Sequence, residues 1–230
     1  MTEFRRRPSR SLPTSRPRIV SKWPAAIMCL VAVCAAVEAA LWAADLGLID
    51  MRRLRALAYQ NGGFWIGLLS DWEPNYAAQP YLMFVTYAFL HGGLVHLAVN
   101  MLTLYSVGQL VISRVGQMRF LLLYAVSAFG GALGFAALST SYQPMVGASG
   151  ALFGLVGAWI AWDYIDRFGS GAPLLPVLRP ILTLILLNVV LYYAMGGFLA
   201  WETHLGGFLA GAFCAFLVDP VSRSFPDQRA

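Results

Sequence analysis

Six apolar runs constrain this chain more than any other feature: Pro24–Ala44, Tyr81–Val107, Phe120–Leu138, Ala148–Tyr164, Leu174–Met195 and Trp201–Val218. A helix needs about 17–25 such residues to cross a bilayer. In hydrocarbon every backbone N–H and C=O has to be satisfied within a helix or a closed barrel. The runs do not alternate polar with apolar residues, which argues against barrel strands. The chain is 59% hydrophobic and 12% charged over 230 residues, with a mean hydropathy of +0.65, outside the composition of a soluble domain of this length. The expected fold is an all-α membrane protein, a bundle of six transmembrane helices forming one domain over residues 24–218.

The distribution of the 16 Lys and Arg residues sets the expected orientation. Arg5, Arg6, Arg7, Arg10, Arg16, Arg18 and Lys22 precede the first run, Arg114 and Arg119 follow the second, Arg167 and Arg179 follow the fourth, and Arg223 and Arg229 follow the last. With six spans these segments share one side. The other side carries Arg52, Arg53 and Arg55 in its long loop, and no basic residue in its short loops around Ser139–Val146 and Gly196–Ala200. By the positive-inside rule both termini are cytoplasmic, and the expected location is a bacterial inner (plasma) membrane. The net charge of +5 then reflects topology and attraction to anionic lipid headgroups, and no nucleic-acid partner is expected.

Residues 1–23 read as a disordered, basic cytoplasmic tail, since the prolines in Phe4–Arg18 oppose the amphipathic helix of a targeting peptide. Residues 219–230 read as a second cytoplasmic tail. The loop 45–80 contains Phe64, Trp65, Ile66, Leu68, Leu69 and Trp72 among polar residues, as expected of a segment lying in the membrane interface with short helices. Cys29, Cys34 and Cys214 fall inside apolar runs and are odd in number, so buried free thiols are expected rather than disulfides.

Glycines recur at helix-packing intervals. Gly150 and Gly154 in the fourth run, and Gly207 and Gly211 in the sixth, have the spacing of four that leaves a groove on one helix face. Such faces bring the fourth and sixth helices together. Ser149 opens the first of these helices, between Gly147-Ala148 and Gly150. A serine there serves either as an N-cap or as a nucleophile whose oxyanion meets the free N–H groups of the helix start. Gly147 and Gly150 would leave a substrate carbonyl room to approach the backbone.

A serine hydroxyl needs a base, and histidine is the usual one because its pKa lies near working pH. His204 shares a helical stripe with Gly207 and Gly211, so the face that packs against the fourth helix also carries the imidazole; the other reading is an interfacial histidine. His96 and Asn100 lie four apart in the second run, with His91 expected about one turn earlier. Polar groups there either bond between helices or supply donors to an oxyanion, and His91 could brace the long first loop. Three histidines without a nearby carboxylate or thiolate make a weak metal set, so neither a metal nor a cofactor is expected.

The segments Phe89-Leu90-His91-Gly92-Gly93-Leu94-Val95-His96-Leu97-Ala98-Val99-Asn100-Met101, Gly147-Ala148-Ser149-Gly150 and His204-Leu205-Gly206-Gly207-Phe208-Leu209-Ala210-Gly211 resemble the three signature segments of the rhomboid intramembrane serine proteases, in the same order. The resemblance implies a Ser149–His204 catalytic dyad without an aspartate. It also implies an oxyanion hole from His96, Asn100 and the Ser149 N–H, with His91, Gly147, Gly150, Phe153 and Gly207 as support. The implied activity is cleavage of transmembrane segments of other membrane proteins near the non-cytoplasmic face, at small residues. Two positions depart from the family pattern: Phe153 stands where a tyrosine often stacks on the histidine, and Pro80-Tyr81-Leu82-Met83 stands before His91 without the Trp-Arg pair of the first loop. Two other function classes fit a six-helix bundle. One is a catalytically silent membrane-protein binder or dislocase. The other is a small transporter, for which Glu38 in the first run would be the relevant group.

Overall fold

The computed structural model describes residues 21–219, so most of both expected tails lies outside the described residues. The described residues are mostly helical: α1 (Ala25–Asp45), α2 (Leu54–Gly62), α3 (Gln79–Thr86), α4 (Leu94–Val115), α5 (Gln117–Leu138), α6 (Ser149–Ser170), α7 (Leu175–Ala194) and α8 (Trp201–Val218). Short 3-10 turns at Ile66–Leu69 and Tyr87–Phe89 complete it.

Five helices, α1, α4, α5, α7 and α8, are long and apolar enough to cross a membrane. The sixth long helix, α6, has 22 residues but a composition of its own. Asp163, Asp166 and Arg167 crowd its last turns, and Gly150, Gly154 and Gly157 replace larger side chains. Its position explains this composition. It lies against α4, α5 and α8 and buries Leu152, Leu155, Ile160 and Trp162, so it faces protein where the outer helices face hydrocarbon. At the other extreme α7 buries only Val177 and forms one outer wall.

The second apolar run does not fold as the single helix expected over Tyr81–Val107. It begins in α3 and a 3-10 turn, breaks at Leu90–Gly93, and resumes as α4, which continues to Val115. His91 is therefore a loop residue, not a residue one turn before His96. The chain then reverses between α4 and α5 through Gly116 alone, at a φ of 84° that only glycine adopts cheaply.

Two ion-pair clusters fasten the bundle. Near one end Arg114 of α4 forks onto Asp166 of α6 at 2.7 and 3.0 Å and reaches Asp219 at 2.9 Å, with its guanidinium 5.0 Å over the Trp162 ring. In the first loop Arg55 of α2 binds fully buried Glu38 of α1 at 2.8 Å and Asp45 at 2.7 Å. The Glu38 hydrogen bond holds the Arg55 pKa above its usual range. Glu38 is thus the structural anchor of the loop. The thiols divide: Cys34 and Cys214 are buried, whereas Cys29 is exposed, contrary to expectation, because it lies off the α1 face that carries Ile27, Cys34, Glu38 and Leu41.

Candidate active site

The loop before α6 is pinned on both sides. Phe64 and Met145 exchange backbone hydrogen bonds of 3.0 Å, and the Gly147 N–H donates to the Tyr87 carbonyl at 2.9 Å. Gly147 takes a φ of 127°, a conformation glycine supplies without strain, and the chain enters α6 at Ser149. Ala148 holds the N-cap position and no side chain caps the helix. The Ser149 hydroxyl is therefore not a cap. It lies 2.9 Å from His204 Nε2, across 55 residues of sequence.

Glycine contacts hold these two residues together. A Cβ on Gly207 would collide with the Gly150 carbonyl, one on Gly211 with the Gly154 carbonyl, and one on Gly150 would stand 2.6 Å from Thr203 Cγ2. The backbones of α6 and α8 thus touch, as the sequence spacing indicates. Two of the glycines expected near the site also make room within the protein: Gly150 for α8, and Gly147 for His96, whose Cε1 would be 2.7 Å from a Cβ there.

The His204 imidazole is buried and held on three sides. Ser149 faces Nε2, and the Phe153 ring stacks on it at 4.1 Å and 4°. The third contact is Asn188 Oδ1 of α7, 2.6 Å from Nδ1. The sequence reading did not single out Asn188. An amide in the apolar run Leu174–Met195 is as anomalous as His96 in its own run, and that signal would have found it.

His96 and Asn100 lie on α4 beside this pair. The Gly92 N–H donates to His96 Nδ1 at 3.1 Å, which leaves the proton on Nε2, the nitrogen that would stand 3.0 Å from a Gly147 Cβ. His96 thus presents an N–H toward the loop that carries Ser149. Asn100 is buried and gives one amide N–H to the His96 carbonyl at 2.8 Å. His91 is fully buried, its ring 5.4 Å from that of His96, and its carbonyl accepts the Tyr59 hydroxyl at 2.6 Å. Burial, and then the neighbouring His96, push its pKa down to about 4, so the ring is neutral near pH 7.

A cavity of about 520 Å³ between α7 and α8 reaches His204 and Asn188 past the apolar walls of Phe153, Leu205 and Phe208. Chemically the assembly is a hydroxyl on an imidazole, with an N–H donor alongside and an apolar cavity on the Asn188 side of the imidazole. This arrangement suits proton withdrawal from Ser149 and stabilisation of an adjacent oxyanion.

A rhomboid-domain family model matches residues 78–220. RHOMBOID-like protein 5 of Arabidopsis thaliana is 37% identical over 135 residues, 56% of this chain and 41% of that protein. The Rhomboid protease GluP of Bacillus subtilis (strain 168) is 35% identical over 126 residues, 55% of this chain and 24% of that protein. RHOMBOID-like protein 6, mitochondrial, of Arabidopsis thaliana is 30% identical over 151 residues, 64% and 47% of the two chains. The chain spans less than half the length of each of these relatives. All three signature segments lie inside the matched region, and this chain, an all-α integral membrane protein, belongs to the rhomboid family.

Proposed function

We propose that this chain is an intramembrane serine endopeptidase that cleaves transmembrane segments of other membrane proteins. The observation that carries this reading is the 2.9 Å contact between Ser149 Oγ and His204 Nε2, formed by two helix starts in the same bundle. His204 Nε2 takes the hydroxyl proton as Ser149 Oγ bonds to the scissile carbonyl carbon. The carbonyl oxygen, now an oxyanion, meets the N–H groups of His96, Asn100 and the Ser149 backbone. Collapse breaks the C–N bond, and the proton on His204 goes to the leaving amine. Water then adds to the acyl-enzyme with His204 again as base, which releases the acid and restores Ser149.

A helical peptide bond hides its carbonyl in the i→i+4 ladder, so the substrate helix has to unwind locally before attack. Small residues at the cleaved bond are what the family resemblance implies, and an apolar cavity past Phe153, Leu205 and Phe208 reaches His204. The bias of basic residues supports cytoplasmic termini, which puts the start of α6 and of α8, and hence cleavage, near the non-cytoplasmic face. The relatives come from plants, one of them named mitochondrial, and from Bacillus subtilis. They therefore carry no argument for the bacterial inner membrane that the sequence suggested.

The test is turnover of a fluorogenic transmembrane substrate by the purified protein. Ser149→Ala should abolish cleavage and retain substrate binding. Equal cleavage by variant and parent would remove the enzyme claim, and binding with no cleavage by either would mark a binder or dislocase.

A further inference from the structure

We propose that Asn188 of α7 is a positioning residue for His204, completing a Ser149–His204–Asn188 relay in which an amide takes the place of a carboxylate. This inference rests on the hydrolase reading above and adds a residue to it.

The hydrogen bonds of Asn188 settle which of its atoms meets the imidazole. Its Nδ2 donates to the Leu184 carbonyl, four residues earlier on α7, at 2.9 Å. That contact turns Oδ1 outward, where it stands 2.6 Å from His204 Nδ1. An amide oxygen only accepts, so Nδ1 carries the proton and Nε2 keeps the lone pair. Nε2 is the nitrogen 2.9 Å from Ser149 Oγ. Asn188 therefore selects the tautomer in which His204 can accept a proton from Ser149; the opposite tautomer would point a lone pair at Oδ1.

Other groups around the ring do not offer this service. Phe153 of α6 stacks on its face and fixes the plane, not the protonated nitrogen. His96 of α4 is the other imidazole nearby, and Tyr192 and Tyr193 of α7 line the same cavity as His204. Gly130, Gly131 and Gly134 of α5 present no side chain to α8. Glu202, on α8 itself, stands about 200° round the helix from His204. Among the described residues, Asn188–His204 is also the one side-chain hydrogen bond from α7 to another helix. An amide holds an imidazole in this way in cysteine proteases of unrelated fold, and being neutral it orients the ring without favouring the imidazolium.

The experiment compares parent, Ser149→Ala, Asn188→Leu and Asn188→Asp of the full chain on a fluorogenic transmembrane substrate, across pH and with melting points recorded. Asn188→Leu keeps the size and loses the acceptor; kcat should fall about 10–100-fold with KM within about twofold. Asn188→Asp keeps the acceptor and adds a charge beside the ring. It should retain turnover, with the acidic limb of kcat/KM moved up by at least about one pH unit. A parental kcat in Asn188→Leu, or an equal fall in both variants that tracks a lowered melting point with no movement of the pH limb, would overturn the relay while leaving the Ser149 hydrolase intact. A parent no more active than Ser149→Ala would overturn the hydrolase reading itself, and the relay with it.

Discussion

Gly207 of α8 rests directly on the main-chain carbonyl of Gly150 in α6. Ser149 is the residue before Gly150, and His204 lies about one turn before Gly207, so this glycine contact sets the separation of hydroxyl and imidazole.

Gly207→Ala places a methyl group where that carbonyl stands, and the two helices have to part. We expect a stability loss of about 1–3 kcal/mol from overpacking and a fall in kcat of about 100-fold, the scale of a 1 Å misplacement of reacting groups. Gly169→Ala in α6, where an added Cβ meets nothing within 4 Å, is the control that should leave kcat unchanged and stability the same or raised by up to about 1 kcal/mol. Melting curves and substrate turnover measure the pair.

Phe153 carries the stacking face of His204 without a hydroxyl. Phe153→Tyr should therefore keep full activity if the added oxygen reaches the cavity. Phe153→Ala should lose about 2–10-fold in kcat, the value of one aromatic pair. Steady-state kinetics on the two variants separates ring from hydroxyl.

Arg114 joins three segments through Asp166, Asp219 and the Trp162 ring. Arg114→Met removes the cation from a cluster in which Asp219 is buried and Asp166 is partly exposed, and should cost about 1–3 kcal/mol, seen as a lowered melting point and poor yield. The half-exposed pair Arg167–Asp163 is worth under about 1 kcal/mol, so Asp163→Asn should hardly matter. Neither variant should change kcat of the molecules that fold.

His91 gives a pH signature. Burial lowers its folded pKa to about 4, below its unfolded value of about 6.5. Between those values the unfolded chain binds the extra proton, so stability is full above pH 6.5 and declines as pH falls toward 4. The loss attributable to this group is about 3 kcal/mol. His91→Gln should flatten the melting-point profile in that window relative to the parent, and identical slopes would refute the assignment.

Much of this site was legible because hydrocarbon leaves polar groups few reasons to be present. Ser149, His204, His96 and Asn100 each interrupt an apolar run, and the paired glycines indicated which helices meet. Asn188 obeys the same rule, but no signature segment surrounds it to mark its partner. Other features depended on tertiary partners. Arg55 lies in α2, 17 residues after Glu38 in α1, so nothing local joins the two. The break at Leu90–Gly93 was hidden by the continuous apolarity of Tyr81–Val107, since hydropathy does not register a change of backbone direction. The central helix α6 read as an ordinary span, although packing on several sides lets it keep charges and glycines that a lipid-facing helix would not.

The most direct measurement is covalent labelling by a fluorophosphonate or isocoumarin probe, mapped by peptide mass. The account predicts one adduct, on Ser149, formed by the parent and lost in His204→Ala. An adduct elsewhere, or labelling of Ser149 at the parental rate without His204, would contradict it.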